Sequence, residues 1–302
     1  MPRAAILGPG GVGGFLAAAF ERAGEETVIV AREETAEHID RDGLSVQSLR
    51  LGDFSARPRV VTTLEAPVDV LLVATKSAGL HAGLERIRVE PELVVPLLNG
   101  LDHMSVLRER FGNERVAAGT IRIESDRPQA GVIVQTSPFL RIDLASDDPG
   151  PAERLERLKA MLERAEVPAE IGTSEAQILW SKLVRLNALA CTTAAADRPV
   201  GFIRSDPEWR AALVGCIEEA AAVANADGAE IDPAARLAEL DEAHAGLGSS
   251  MQRDISAGRE PELDAIPGSV LRAGARHGIE CPTIARLVLG IAERAGIDPP
   301  RY

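Results

Sequence analysis

The chain has 302 residues, which is enough for about two domains of ~150 residues each. A formal net charge of −13 and only 3% aromatic residues argue against a nucleic-acid partner, which needs clustered cations and stacking platforms. We expect a cytoplasmic protein without a membrane partner, because no secretory leader opens the chain and no apolar run reaches the ~20 residues of a membrane helix.

The first half alternates short apolar runs with helical patterns. Four nearly continuous apolar runs predict parallel strands buried on both faces: Ala4–Leu7, Thr27–Ala31, Val70–Ala74 and Leu93–Leu97. Helices are predicted between and after them, at Val12–Arg22, Ala78–Arg88 and Leu101–Arg110. Further strands are predicted to extend this sheet with antiparallel pieces, at Val116–Ile123, Gly131–Gln135 and Leu140–Leu144. A helix is then predicted at Ala152–Ala165.

The second half has helical periodicity and no convincing strand. Helices are predicted at Ser174–Ala195, Pro207–Asp227, Pro233–Ala243, Glu262–His277 and Thr283–Ala295. The fold class is therefore α/β: an N-terminal Rossmann-type doubly wound sheet (residues 1–172) followed by an all-helical domain (173–302), with a shared cleft as the expected ligand site. The cysteines predict reduced thiols and no metal site, because they are far apart: Cys191, Cys216 and Cys281.

The turn after the first strand carries the motif G-x-G-x-x-G at Gly8, Gly10 and Gly13. In a dinucleotide site the first glycine permits the tight turn, the second lets a pyrophosphate approach the backbone, and the third lets helix and strand pack closely. The predicted cofactor-binding segment is Gly8, Pro9, Gly10, Gly11, Val12 and Gly13. The alternative is an ordinary glycine-rich turn without a ligand.

The end of the second strand indicates which dinucleotide binds. An acidic residue there suits the ribose 2′-hydroxyl of NAD, whereas an arginine suits the 2′-phosphate of NADP. Arg32 stands at this position and favours NADPH. Glu33 and Glu34 follow at once and favour NAD, unless they are only the acidic first turn of the next helix.

Two polar residues follow the next predicted strands. Lys76 comes after the third, and Asn99-Gly100 after the fourth, at the sheet edge where open α/β folds bind ligands. Each has an alternative interpretation: Lys76 as a solvated helix start, and Asn99-Gly100 as an ordinary turn.

A lysine lies on an apolar helix face in the second half. At about 100° per residue, Lys182 shares its face with Ile178, Leu186, Leu189 and Thr193. Either the side chain only extends to solvent, or its ammonium points into the expected cleft as a proton donor. Further along, Ser250 is a candidate substrate ligand or a helix N-cap, and Glu262 a candidate site residue or a first-turn carboxylate.

Taken in order, these motifs resemble the ketopantoate reductase (2-dehydropantoate 2-reductase) family over nearly the whole chain. They are the glycine motif, Arg32, Lys76, Asn99-Gly100, Trp180-x-Lys182, Ser249-Ser250-Met251-x-x-Asp254 and Glu262-Leu263-Asp264. The resemblance implies reduction of ketopantoate to pantoate by NADPH in pantothenate biosynthesis.

The resemblance also implies a role for each matching residue. Lys182 would be the proton donor, and Asn99 would position cofactor and substrate; both, with Glu262, count as catalytic. Ser250 and Glu262 would bind the 2-oxo acid, and Arg32 and Lys76 the phosphate and ribose side of the cofactor. A homodimer is left open.

Two positions depart from the family pattern. Well-studied members carry asparagine four and eight residues after the lysine, where this chain has Leu186 and Ala190. Asn187 points about 140° away from Lys182 on a helical wheel and is a poor substitute. The substrate is therefore either ketopantoate bound by other residues or a less polar 2-oxo acid. A third hypothesis is that the protein is a sensor that binds a dinucleotide and catalyses no reaction.

Overall fold

The computed structural model describes residues 3–302, which divide into two compact units. The first contains the chain up to Leu98 and His103–Ile178, and the second contains Asn99–Asp102 and Leu179–Tyr302. The domain boundary at 172/173 stays a prediction.

The first unit contains three β-sheets. Its strands are β1 (Ala4–Leu7), β2 (Thr27–Val30), β3 (Leu44–Ser48), β4 (Phe54–Ala56), β5 (Arg59–Val61), β6 (Val70–Val73), β7 (Leu93–Pro96), β8 (Ala118–Arg122), β9 (Ser125–Gln129), β10 (Val132–Gln135), β11 (Arg141–Ala145) and β12 (Ala169–Ile171). The main sheet is parallel with the order β5-β2-β1-β6-β7, as a doubly wound fold requires. The four strands predicted for it are confirmed, and every residue in them is buried.

The predicted antiparallel extension of the main sheet is wrong. The strands concerned form sheets of their own, β4-β3-β10-β9 and β12-β11-β8. Strand β10 pairs with β3 and β9, two strands that were not predicted. Neither has the nearly continuous apolar run that identified the other strands: β9 (SDRPQ) has no apolar residue except Pro128, and β3 (LSVQS) has only two.

The helices that begin in the first unit are α1 (Gly11–Arg22), α2 (Glu33–Asp42), α3 (Leu80–Leu84), α4 (His103–Phe111), α5 (Ala152–Arg164) and α6 (Glu175–Ala196). Helix α1 buries Phe15 and Phe20 completely in the core of this unit. The predicted helix Ala78–Arg88 is too long, since only a 3-10 turn at Ser77–Gly79 and the short α3 form there. Gly79 and Gly83 explain the difference, because glycine destabilises helices.

The second unit is helical, as predicted. After the larger part of α6 it contains α7 (Val200–Ser205), α8 (Pro207–Ala226), α9 (Pro233–Glu242), α10 (Ser250–Ser256), α11 (Ser269–His277) and α12 (Pro282–Ala295). The single helix predicted at Glu262–His277 is instead a π-helical turn, Asp264–Gly268, followed by α11. Pro267 accounts for this irregularity, because it lacks the N–H that a regular helix uses. Helices α7 and α10 were not among the predicted helices.

Trp180 on α6 is fully buried, and its Nε1 donates to Asp227 Oδ2 at 2.8 Å. This bond fixes the helix turn that also carries Lys182. Among residues 3–302, no helix is both long enough and apolar enough to cross a membrane.

Candidate functional site

The glycine turn between β1 and α1 has two kinds of glycine. Gly8 needs its residue type because its φ is +94°. Gly13 needs it because a Cβ there would collide with the backbone oxygen of Gly8. Gly10 differs: its backbone is extended, and a Cβ would meet no atom within 4 Å. The fold therefore does not require glycine at position 10, where it leaves open space above the turn.

This turn fits the pyrophosphate of a dinucleotide. Helix α1 has 12 residues and begins at Gly11, and its N-cap, Gly10, has no side chain to bond the first N–H groups. These N–H groups and the open space at Gly10 suit an anion at the helix N-terminus. Pro9, which is buried, and Val12, which is half-buried, complete the predicted segment.

Strand β9 packs against the same turn and was not predicted. Ser125 Oγ donates to the Gly11 carbonyl at 2.8 Å, and Arg127 Nη1 lies 3.5 Å from the Pro9 carbonyl oxygen. A Cβ on Gly11 would collide with the backbone of Ser125. Gly11 is therefore needed for this packing, and β9 supports the turn from the side.

At the end of β2, the side chains of the adjacent residues Arg32 and Glu33 have different surroundings. Arg32 is exposed at the N-cap of α2, and its guanidinium makes no hydrogen bond or ion pair in residues 3–302. Glu33 is held by Arg86, whose hydrogen bonds lower the pKa of the carboxyl to about 2. Lys76 is exposed at the N-cap of the 3-10 turn after β6. Arg32 and Lys76 thus follow two parallel strands of one sheet, at its carboxyl edge.

The second unit brings three predicted site residues into one chain of hydrogen bonds. Lys182 Nζ donates to Asn99 Oδ1 at 2.8 Å, and Asn99 Nδ2 donates to Glu262 Oε2 at 2.9 Å. All three side chains are half-buried. Residues far apart in the sequence therefore form a Lys182–Asn99–Glu262 chain in which an amide joins an ammonium to a carboxylate.

The partners of Asn99 fix the orientation of its amide. An ammonium only donates hydrogen bonds, and a carboxylate only accepts them. The amide oxygen must therefore face Lys182, and the NH2 group must face Glu262. A flipped amide would place two donors together and two acceptors together, and both contacts would be lost.

The loop that carries Asn99 packs closely against the π-helical turn and is hydrogen-bonded to it through Arg272. Gly100 has φ +87°, and a Cβ there would collide with the backbone oxygen of Ala265. Arg272 donates to Asp102 at 2.7 Å and to Asp264 at 2.8 Å, and so joins the loop to the turn. Gly100 is thus required by more than turn preference, because it lets this loop approach the segment that follows Glu262.

The positions that depart from the family pattern have different surroundings. Leu186, one helical turn after Lys182, is half-buried, whereas Ala190 is fully buried. Asn187 is also fully buried, and its Oδ1 accepts a hydrogen bond from Cys191 Sγ. Asn187 therefore lies in the interior of the unit, and of these three residues Leu186 alone is partly accessible.

Ser250 is not in hydrogen-bond contact with the Lys182–Asn99–Glu262 chain. It is exposed in the first turn of α10, and the N-cap of that helix is Ser249, which accepts from Gln252 N at 3.1 Å. The interpretation of Ser250 as the N-cap is therefore wrong by one residue. Thr193 Oγ1 donates to Ser249 Oγ at 2.8 Å and links α10 to the Lys182 helix.

The Lys182–Asn99–Glu262 chain is suited to acid catalysis. A positioned ammonium can stabilise negative charge that grows on an oxygen and can also give that oxygen a proton. Asn99 and Glu262 restrict where the ammonium lies, which is the preorganisation such catalysis needs.

Comparisons with known proteins agree on one family. The family model described as "Ketopantoate reductase PanE/ApbA" matches residues 4–146, and its C-terminal counterpart matches residues 176–294. A 2-dehydropantoate 2-reductase from Caulobacter vibrioides is 32% identical over 300 residues, covering 95% of this chain and 97% of that protein.

Two solved structures share the fold over nearly their whole length. A 2-dehydropantoate 2-reductase from Geobacter metallireducens has a TM-score of 0.88 at 28% identity, covering 96% of this chain and 99% of that one. A D-mandelate dehydrogenase, solved with NADH and anilino(oxo)acetate, also has a TM-score of 0.88, at 19% identity with 97% and 98% coverage. The fold is therefore common to reductases of different substrates.

Proposed function

The chain belongs to the ketopantoate reductase family, and we propose that it reduces 2-dehydropantoate (ketopantoate) to pantoate with NADPH, a step of pantothenate biosynthesis. As a member it is an oxidoreductase that uses a nicotinamide dinucleotide. The observation that carries the proposal is the Lys182–Asn99–Glu262 chain of hydrogen bonds, which holds a proton donor in place.

In the proposed reaction, residues of the protein act on the carbonyl oxygen and the carboxylate of the 2-oxo acid. When bound, a reduced nicotinamide supplies the hydride that adds to C2. Lys182 stabilises the negative charge that develops on the carbonyl oxygen and gives it a proton, which yields the 2-hydroxy acid. Asn99 holds the ammonium, Glu262 holds the amide, and Ser250 is proposed as a donor to the substrate.

The proposed cofactor site lies in the first unit. The turn Gly8–Gly13 takes the pyrophosphate, and its fit rests on the open space at Gly10 and the uncapped start of α1. Arg32 takes the 2′-phosphate of NADPH, and Lys76 the ribose side. The exposure of Arg32 supports this preference, because its guanidinium is accessible to a phosphate.

Replacing Arg32 by alanine is expected to raise the Kd of NADPH about ten- to a hundredfold, the usual loss for one charge-assisted hydrogen bond or two. NADH lacks the 2′-phosphate, so its Kd should change little. Fluorescence titration of each dinucleotide measures both values. Arg41→Ala, at the other end of α2, is the matched control. Equal weakening of both dinucleotides would mean that Arg32 does not bind the 2′-phosphate.

A less polar 2-oxo acid is the second candidate substrate, and Leu186 is the observation that favours it. An apolar side chain beside Lys182 offers no hydrogen bond to the hydroxyl group of ketopantoate. A site without such a bond discriminates weakly in favour of a hydroxyl-bearing substrate. The fold does not decide between the two candidates, because a D-mandelate dehydrogenase shares it.

A panel of 2-oxo acids tests the proposed substrate. It contains ketopantoate, trimethylpyruvate (which is ketopantoate without its hydroxyl group), 2-oxoisovalerate and phenylglyoxylate. We expect NADPH oxidation with kcat/KM for ketopantoate at least about tenfold above that for trimethylpyruvate. A preference for trimethylpyruvate or phenylglyoxylate would replace the pantothenate assignment by the second candidate. Tight NADPH binding with no turnover of any acid would identify a sensor instead.

A further inference from the structure

The acidic residue after Arg32 is engaged by an arginine from another part of the fold. Arg86 Nη1 donates to Glu33 Oε1 at 2.9 Å, and Nη2 donates to Oε2 at 3.1 Å. The guanidinium thus meets both carboxylate oxygens in the paired geometry that makes such contacts strong and directional. Glu33 is the residue that, by its position, argues for NAD rather than NADP.

Arg86 is also held by backbone groups of other segments. Its Nη1 also donates to the Thr62 carbonyl, just beyond the end of β5, at 3.1 Å. Its backbone carbonyl accepts from Leu64 N at 2.8 Å, and its backbone N donates to Gly83 O at 3.0 Å. The Arg86 side chain is 25% exposed, against 67% for Glu33. The surrounding structure therefore holds the Arg86 guanidinium in place, and the more exposed Glu33 carboxylate binds to it.

The charges at the strand end determine which ribose can be accepted. A 2′-phosphate carries close to two negative charges, so an uncompensated carboxylate beside Arg32 would repel it. The same carboxylate would accept a hydrogen bond from the 2′-hydroxyl of NADH. Hydrogen bonds from Arg86 lower the pKa of Glu33, and the carboxylate in turn raises the pKa of Arg86, so both stay charged near neutral pH.

We infer that Arg86 is a specificity-determining residue: by engaging Glu33, it leaves Arg32 to bind the 2′-phosphate and so favours NADPH over NADH. The inference rests on the proposed function, which makes Arg32 the phosphate ligand. Arg86 acts through Glu33 and need not touch the dinucleotide. A purely structural role would change stability without changing the ratio of the two affinities.

The test is the ratio of Kd for NADH to Kd for NADPH in full-length variants. In Arg86→Gln the ratio is expected to fall about five- to tenfold, mainly through weaker NADPH binding, because Glu33 is then uncompensated. In the double variant Arg86→Gln with Glu33→Gln the ratio should return close to the wild-type value. This recovery would not occur if Arg86→Gln only damaged the fold.

Two controls match these changes. Arg110 forms a similar pair with Glu90, at 2.8 Å, before the amino end of β7, so Arg110→Gln should leave the ratio unchanged. Glu34 is exposed and has no ion pair in the described part of the chain, so Glu34→Gln should not rescue Arg86→Gln. Thermal melting of every variant separates a loss of stability from a loss of discrimination.

The two proposals fail in different measurements. The wild-type ratio tests the proposed use of NADPH, whereas the change of ratio in Arg86→Gln tests the role of Arg86. An unchanged ratio in Arg86→Gln overturns the inference. A lowered ratio that Glu33→Gln does not restore also overturns it, because Arg86 would then not act through Glu33.

Discussion

Replacing Lys182 by alanine is expected to lower kcat at least about a hundredfold, the usual order for the loss of a general acid. Lys182 Nζ is the proton donor of the Lys182–Asn99–Glu262 chain, where it donates to the amide oxygen of Asn99. Without the ammonium, the developing oxyanion loses both its counter-charge and its proton. The Kd of NADPH should change little. Steady-state turnover and fluorescence titration measure the two effects separately.

Two further measurements make the Lys182 result specific. Added methylammonium should restore part of the activity of Lys182→Ala, because a small amine can occupy the vacated space and donate a proton. Lys159→Ala is the matched control, since Lys159 pairs with Glu163 on α5 and takes no part in the site. A kcat within a few-fold of wild type in Lys182→Ala would remove Lys182 from the mechanism.

Replacing Gly10 by alanine is expected to weaken both dinucleotides and leave the fold intact. A Cβ at position 10 meets no protein atom within 4 Å and the backbone is extended, so stability should change by no more than about 0.5 kcal/mol. The same Cβ occupies the space proposed for the pyrophosphate. The Kd of NADPH and that of NADH should therefore rise together, each at least about tenfold, or about 1.4 kcal/mol.

Substitutions at two other glycines are the controls for this prediction. Gly13→Ala should destabilise the protein by about 1–3 kcal/mol, because its Cβ would collide with the Gly8 backbone. Gly290→Ala, in α12 with no atom within 4 Å of its Cβ, should be neutral or stabilising by up to about 1 kcal/mol. If Gly10→Ala folded normally and bound both dinucleotides normally, the turn would not be the pyrophosphate site.

Four of the five strands of the main sheet could be predicted, because each has a recognisable apolar pattern in the sequence. Each is a short, nearly uninterrupted apolar run, and the structure buries every residue of β1, β2, β6 and β7. The α/β fold class and the family resemblance are confirmed as well. Long helices with strong periodicity, such as α8, were also predicted closely.

Strand β9 shows where sequence patterns fail. Its residues other than Pro128 are polar, and its position depends on β10 and on packing against the glycine turn, neither of which hydrophobic periodicity can reveal. The π-helical turn is similar: Pro267 signals an irregularity, but not its geometry. For β9 the structure is decided by contacts between distant segments, whereas for the π-helical turn the local signal does not specify the form that results.

For the candidate site as well, single residues could be predicted from the sequence, but their pairings could not. The sequence could identify Asn99, Lys182 and Glu262 separately, by their places after a strand, on an apolar face and near a helix start. It could not show that Asn99 lies between the other two, nor that Arg86, 53 residues from Glu33, neutralises that carboxylate. Such pairings follow from the tertiary fold. Because the Glu33 carboxylate is paired with Arg86, we no longer interpret Glu33 as evidence for NAD.

The most direct test of the proposed reaction follows deuterium from the nicotinamide to the product. NADPH that carries deuterium at the transferred position is incubated with ketopantoate and the wild-type protein, and the product is analysed by mass spectrometry and NMR. The proposal predicts pantoate with one deuterium at C2, together with loss of NADPH absorbance in equal amount. Unchanged ketopantoate and NADPH, under conditions in which NADPH binds, would contradict it.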